Sequence, residues 1–256
     1  AYLRHNGVPC EFKLPDVSAW ADNDVEGAIP VEVTSADGAP RYTGTTIKGV
    51  KVASSPEWLQ KKLLAIGLRP INNIVDITNF VLHEIGQPLH AFDAAKIDGG
   101  KVVVRRAAEG EKFVTLDGVE RTLSAADLMI ANAEKPMCLA GVFGGEESGV
   151  TETTTDVFLE SAYFNPVSIR KSSKRHGLKT DASFRYERGA DPLAVDYAGR
   201  RAALLIQELA GGQIVGKVQE SYPEKIQKKQ VELDYNRIEN FIGKKIGHEV
   251  IESILK

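Results

Sequence analysis

From residue 101 to residue 160 the chain offers a succession of short apolar runs, none of them long enough to be a packed helix. The runs at 102–105, 112–115, 119–122, 128–131 and 137–141 read as strands, and turn-forming residues separate them. Asp117-Gly118 lies between the second and third, and predicts a two-residue hairpin turn, which demands positive φ. A further strand spans 157–160. Helices do not alternate with these strands, so a parallel doubly wound sheet is excluded. The expected class is α+β: a layered domain with a β-sandwich-like core of short strands and segregated helices.

The helical patterns lie on either side of this block. Residues 1–40 are weakly patterned, contain Pro9, Pro15, Pro30 and Pro40, and read as a connector leading into a strand near 29–34. Residues 41–52 alternate as a strand. Ser54-Ser55-Pro56-Glu57 then opens a helix by capping, with Leu59, Leu63 and Ile66 on one face and Gly67 as its stop. A second helix follows Asp76-Ile77-Thr78-Asn79, with Asp76 or Thr78 as its cap, and stops at Gly86. Asn165-Pro166 starts a third that ends at Gly177. Asp191-Pro192 caps a longer one, with Val195, Ala198, Ala202, Leu205 and Leu209 on one face and Gly211-Gly212 at its end. Residues 221–229 have linker composition. From Val231 a new pattern begins: a strand, a short helix around 237–242, Gly243, and a helix from about Gly247. The resulting division is 1–40, 41–222 and 223–256.

Composition narrows the function classes. Of the 256 residues 43% are hydrophobic and 26% charged, as in ordinary globular domains. No apolar stretch approaches the roughly 20 residues of a membrane span, and no signal peptide is visible. Cys10 and Cys138 are too few and too far apart for a disulfide framework or a metal motif, which suits a reducing, cytoplasmic setting. His5, His83, His176 and His248 have no metal-ligand spacing. The net charge of −3 argues against a protein that grips nucleic acid through phosphates by itself. Two basic runs remain: Arg170, Lys171, Lys174, Arg175 and His176, open between phosphate contact and solvation, and Lys225, Lys228 and Lys229, read as linker.

Several residues fit poorly into a purely structural account. Thr78, Asn79 and His90 are polar groups expected at the two ends of one rigid helix, His90 being delivered by a turn on Gln87-Pro88; pockets need that arrangement more than surfaces do. Glu160 ends an apolar strand, where a carboxylate is costly unless it is hydrogen-bonded; its partner is either Arg185 or Arg188, or a ligand. Gly141, Gly144 and Gly145 suggest close backbone approach to a ligand. Nucleotide phosphate is disfavoured there, because Glu146-Glu147 follows and no phosphate-loop motif occurs. Thr180-Asp181-Ala182-Ser183 reads as a capping turn, with Asp181 as the cap. Arg185, Glu187 and Arg188 read as a supporting ion-pair network. Neither cysteine lies near a histidine motif, so no protein nucleophile is expected.

Four of these segments, RPINNIVDITNFVLHEIGQPLHAFD at 69–93, AGVFGG at 140–145, DVFLE at 156–160 and KRHGLKTDASFRYERGAD at 174–191, occur in one order and spacing. Together they resemble the β subunit of bacterial phenylalanine–tRNA ligases, in the part called the B3/B4 domain, over about 41–220. That resemblance implies a B3/B4-type fold that hydrolyses tyrosine misattached to the phenylalanine tRNA, with water attacking directly. It implies that Glu160 reads the tyrosine hydroxyl while His90, Thr78 and Asn79 line the pocket and position ester and water. Whether His90 acts as a base or only orients water is open, with orientation expected. It further implies that Gly141 contacts the amino-acid moiety and that Thr180 and Ala182 form a wall. The implied partners are the tRNA 3′ end, tyrosine-like amino acids, and a synthetase α subunit in a heterotetramer of two α and two β chains. No metal or cofactor is implied for this chain; ATP and magnesium belong to the full enzyme. Residues 223–256 would be a linker and the truncated start of a B5 domain. The alternative is a non-catalytic module that docks tRNA and the α subunit. A free-standing editing protein is disfavoured by the new pattern from Val231.

Overall fold

Strict alternation along one central strand organises the fold. In the computed structural model, which describes residues 6–11, 13–227 and 230–255, this strand is β10 (Asp156–Tyr163). It pairs antiparallel with β2 (Arg41–Val50) on one side and β3 (Leu89–Asp93) on the other, and β11 (Gly211–Ser221) extends the sheet beyond β2. Successive side chains of a strand point to opposite faces. Phe158 and Ala162 therefore join Tyr42 and Phe92 on one face, while Val157 and Leu159 join Ile47 and Ala91 on the other.

Each face is covered by a different layer. The first meets a five-stranded sheet ordered β1 (Val31–Val33), β4 (Val102–Arg106), β7 (Leu128–Ala131), β8 (Pro136–Leu139) and β9 (Phe143–Gly144). Val102, Val104, Met129 and Leu139 close that core. The second face meets helices α1 (Glu57–Ala65), α2 (Asn73–Ile85) and α5 (Ala194–Ala210), through Leu59, Leu63, Ile74, Ile77 and Ala202. Small residues let α5 lie close: a Cβ on Gly199 would sit 3.5 Å from the Ser161 side chain. The layers run sheet, sheet, helices, the expected α+β arrangement, with these three helices on one side while Ile169 and Tyr186 of two other helices reach the core between the sheets. Two short helices, α3 (Pro166–His176) and α4 (Asp181–Tyr186), and a ribbon of β5 (Lys112–Val114) with β6 (Glu120–Thr122) complete this unit.

Several local expectations are corrected. Asn72, not Asp76 or Thr78, caps α2, accepting from Ile74 N and Val75 N at 3.1 and 2.9 Å. Asp76 lies buried in the first turn and accepts from Ser55 Oγ (2.5 Å) and Ile71 N (2.8 Å), so Ser55 ties two helices together and caps neither. Pro56 occupies the N-cap of α1. Ile66, its C-cap, is 51% exposed because the helix ends before the packed face returns. The turn at Asp117-Gly118 is a three-residue loop: Thr115 N donates to Val119 O at 3.1 Å, with Gly118 at φ +73°. Thr180, not Asp181, caps α4, in a reciprocal capping box with Ser183. Asp191 accepts from Leu193 N one residue ahead of α5, whose own cap position is Leu193. Strands β3 and β11 were not expected.

The chain divides into Ala1–Glu224 and a second unit, Lys225–Lys256. In the second, Asp234 caps α6 (Tyr235–Ile242) and Gly243 ends it at φ +76°; α7 (His248–Leu255) follows. The Tyr235 and His248 rings stack at 3.9 Å. The strand expected from Val231 does not form among the described residues, and Val231 is exposed. His5, Lys228 and Lys229 lie outside the described residues. No described helix is long and apolar enough to cross a membrane.

Candidate functional site

Glu160 on β10 and His90 on β3 are direct cross-strand partners, so their side chains leave the sheet side by side. His90 is thus a strand residue, not a turn residue. Both point into the layer between the sheets, and Glu160 is only 4% exposed. The residue opposite Glu160 on β2 is Gly44, where a Cβ would lie 2.1 Å from the Phe158 ring. The missing side chain makes room for that ring. Diagonally across the same pair, Tyr42 donates its hydroxyl to Glu160 Oε2 at 2.7 Å. Oε1 has no partner among the described residues, and no arginine reaches Glu160. Arg188 pairs instead with Glu187 at 2.5 Å, and Arg185 forms no ion pair with another described residue, so among the described residues the expected network reduces to one pair.

Burial sets the charge states. It pushes Glu160 up to about 7, an effect the Tyr42 hydrogen bond partly offsets by favouring the carboxylate. It pulls His90 down to about 4, and Nε2 of that ring is buried without a hydrogen-bond partner. At neutral pH His90 is therefore an uncharged ring, suited to orient a hydroxyl or water more than to take up a proton. The linkage to stability has opposite signs. Glu160 holds extra proton in the folded state, so its contribution is complete below pH 4.5 and is lost as pH rises through 7. His90 is depressed, so its contribution is present above pH 6.5 and is lost as pH falls through 4. Urea unfolding of wild type and Glu160→Gln from pH 4.5 to 8 should separate them. The difference, wild type minus variant, should fall by on the order of 3 kcal/mol over that range. A flat difference would mean that Glu160 is not held neutral by burial.

All seven residues singled out from the sequence line one cavity of about 530 Å³. Helix α2 supplies Thr78 and Asn79, β3 His90, β10 Glu160, the turn after β8 Gly141, and the start of α4 Thr180 and Ala182. They do not serve alike. The Thr78 hydroxyl is spent on Val75 O at 2.7 Å within its helix. That of Thr180 donates to Val142 O at 2.9 Å and accepts from Ser183 N at 3.1 Å, so it builds the wall. The Asn79 side chain is half-buried and makes no hydrogen bond to another described residue. The polar atoms left for a ligand are thus the Asn79 amide, His90 Nε2 and Glu160 Oε1.

Gly141 works through shape. It sits at φ +65°, and a Cβ there would lie 2.9 Å from both Tyr186, which lines the cavity as its floor, and Phe164, buried behind it with the two rings edge to face at 5.0 Å. Gly141→Ala should therefore cost about 2–3 kcal/mol in urea unfolding, from left-handed strain and overpacking together. A loss under about 0.5 kcal/mol would show that the floor yields freely.

Sequence reasoning missed Tyr42, Tyr186 and Cys138. Tyr42 belongs to no motif, and Tyr186, though inside the segment 174–191, carries no local signal; only pairing and packing bring them to Glu160 and to the cavity. Cys138 lines the cavity with His90, contrary to expectation. Its thiol is buried, donates towards Phe143 O at 3.4 Å and is pushed well above its ordinary pKa by desolvation, so it stays a poor nucleophile. Among the described residues no group of three or more His, Cys, Asp or Glu side chains is placed to hold a metal.

Residues 38–211, the layered sheets and helices with this cavity, match the B3/4 domain. The chain belongs to the B3/4 domain family. Over 255 residues it is 54% identical to the phenylalanine–tRNA ligase β subunit of Bacteroides fragilis strain YCH46, covering all of this chain and 31% of that protein. The β subunit of Porphyromonas gingivalis is 54% identical over 256 residues, again 31% of its length. The chain thus spans about a third of these relatives. The fold is similar to the crystal structure of an N-terminal fragment of the phenylalanyl-tRNA synthetase β subunit from Pyrococcus horikoshii, with a TM-score of 0.52 at 16% identity over 92% of this chain and 65% of that one.

Proposed function

We propose that this B3/4 domain is the editing hydrolase of a phenylalanine–tRNA ligase β subunit, removing tyrosine from the 3′ end of the phenylalanine tRNA. The observation that carries the reading is the cross-strand pair of Glu160 and His90 lining one cavity, with His90 Nε2 buried and without a hydrogen-bond partner and Tyr42 bonded to only one Glu160 oxygen, Oε2. A hydrophobic pocket rejects an analogue bearing an extra hydroxyl by only about 10²-fold, whereas a site with a polar partner for that hydroxyl discriminates by about 10⁴–10⁵. Glu160 supplies such a partner, and Tyr186, Leu89, Val142 and Phe143 an apolar bed for the ring. His90, neutral, orients the attacking water with Asn79. The water oxygen bonds the ester carbon, the ribose oxygen leaves carrying the proton, and the products are tyrosine and free tRNA. ATP and magnesium belong to the ligation step of the whole enzyme and enter no step here.

In this reading the chain acts in the cytoplasm as part of a heterotetramer with the ligase α subunit, which holds the tRNA and presents its end. Deacylation of tyrosyl-tRNA against phenylalanyl-tRNA tests it. Wild-type protein should hydrolyse the tyrosyl ester well above the spontaneous rate and spare the phenylalanyl ester; equal, background-level loss of both would end the proposal.

A further inference from the structure

The basic run at 170–176 has no part in the cavity, and the structure divides it. Arg175 and His176 both bond the buried carboxylate of Asp127, His176 at 2.8 Å, and so anchor α3. Arg170, Lys171 and Lys174 are left over, and of these Arg170 and Lys174 line one groove. These two stand one helical turn apart on an exposed face of α3, and Lys179 follows in the link to α4. None of Arg170, Lys174 and Lys179 forms an ion pair with another described residue.

Together with Phe184 and Arg188 they line an open groove of about 930 Å³. Thr180 and Asp181 line both this groove and the cavity, so the groove leads away from the cavity mouth. Phe184 is 52% exposed, and the Arg188 guanidinium lies 3.6 Å from its ring centroid. Asp181 and Glu187 are the only carboxylates lining the groove, and Glu187 is already neutralised by Arg188. A chain of net charge −3 thus keeps a local positive track beside an exposed aromatic ring. Cations for phosphates and aromatic faces for bases are the two components of single-strand nucleic-acid binding.

We infer that this groove holds the single-stranded 3′ end of a tRNA, with Arg170, Lys174 and Lys179 on phosphates and Phe184 under a base. The strand then enters the cavity past Thr180 and Asp181 with its terminal ester foremost. The inference rests on the hydrolase reading for the direction of the strand; the binding itself is tested without hydrolysis.

The probe is a short 5′-labelled single-stranded RNA ending in CCA, titrated by fluorescence anisotropy at low salt, since binding by this chain alone is weak. Reversing Arg170, Lys174 and Lys179 together to Glu should weaken binding at least ~10-fold and flatten the salt slope by about 2, at roughly 0.7 per lost phosphate contact. Phe184→Ala should weaken binding about tenfold, the effect of one lost stack, with the slope unchanged. If the triple variant fails to fold, Lys174→Gln with Lys179→Gln carries the measurement, with a slope change of about 1.4. Absent binding by wild type, unchanged affinity and slope in the variants, or equal binding of a blunt RNA duplex or of polyglutamate would each overturn the inference. Tyrosine ethyl ester, which has no phosphate, separates the two readings. Its hydrolysis should be the same in wild type and the charge variants. If no ester is cleaved while RNA binding responds as stated, the hydrolase reading fails and the groove stands.

Discussion

Glu160→Ala is expected to cut the preference for tyrosyl over phenylalanyl ester by about tenfold or more, chiefly through slower hydrolysis of the tyrosyl ester. The substrate hydroxyl would enter the cavity with no side-chain partner, and leaving a buried hydrogen-bonding group unsatisfied costs roughly 1–3 kcal/mol. The variant also strands the Tyr42 hydroxyl, whose only described acceptor is Glu160 Oε2 at 2.7 Å. Stability should therefore fall as well, and rates must be compared on protein shown to be folded. Glu160→Gln separates the two effects, since its amide keeps an acceptor for Tyr42 and nearly the same shape. It should stay folded and lose less discrimination than Glu160→Ala. An unchanged tyrosyl-to-phenylalanyl ratio in folded Glu160→Ala would remove the hydroxyl-reading role.

Ala182→Trp is expected to abolish most hydrolysis, by about 10²-fold, while leaving the fold intact. Ala182 is the second residue of α4, lines the cavity and is only half-buried, so a larger side chain grows into open space and not into the core. Core overpacking typically costs about 1–3 kcal/mol; with the cavity to receive the ring, the unfolding free energy from urea titration should change by less than about 1 kcal/mol. Small displacements at a reacting centre already cost about 10²-fold in rate, and a blocked ring site displaces the whole amino acid. A variant that unfolds with wild type and still hydrolyses tyrosyl-tRNA at full rate would place Ala182 outside the substrate's path.

Local chemistry was legible in the sequence wherever it is decided locally. Gly86, Gly177 and Gly243 end their helices in the left-handed conformation because only glycine takes it without penalty, and Asn165-Pro166 opens α3 because the Asn165 side chain and the proline φ both suit a first turn. The segregation of strands from helices, and hence the α+β class, followed from the uninterrupted run of short strands. Competition between caps was not legible: Asn72, Asp76 and Thr78 are all able to cap, and the outcome depended on Ser55 and Ile71 claiming Asp76 from outside the helix. Strands β3 and β11 were missed because their partners, β10 and β2, lie far away in sequence.

The polar residues of the cavity could be picked out singly, since a buried acid, an isolated histidine and a glycine cluster each violate a local rule. Their meeting could not. A register between β3 and β10 puts His90 beside Glu160; a shift of one residue would send His90 to the helical face, because side chains alternate with a period of two. The same register brings Tyr42 to one carboxylate oxygen and leaves the other free. Residue identity thus determined which groups were available, and long-range strand pairing decided which of them share a cavity, because desolvation and hydrogen bonding act on atoms near in space and not in sequence.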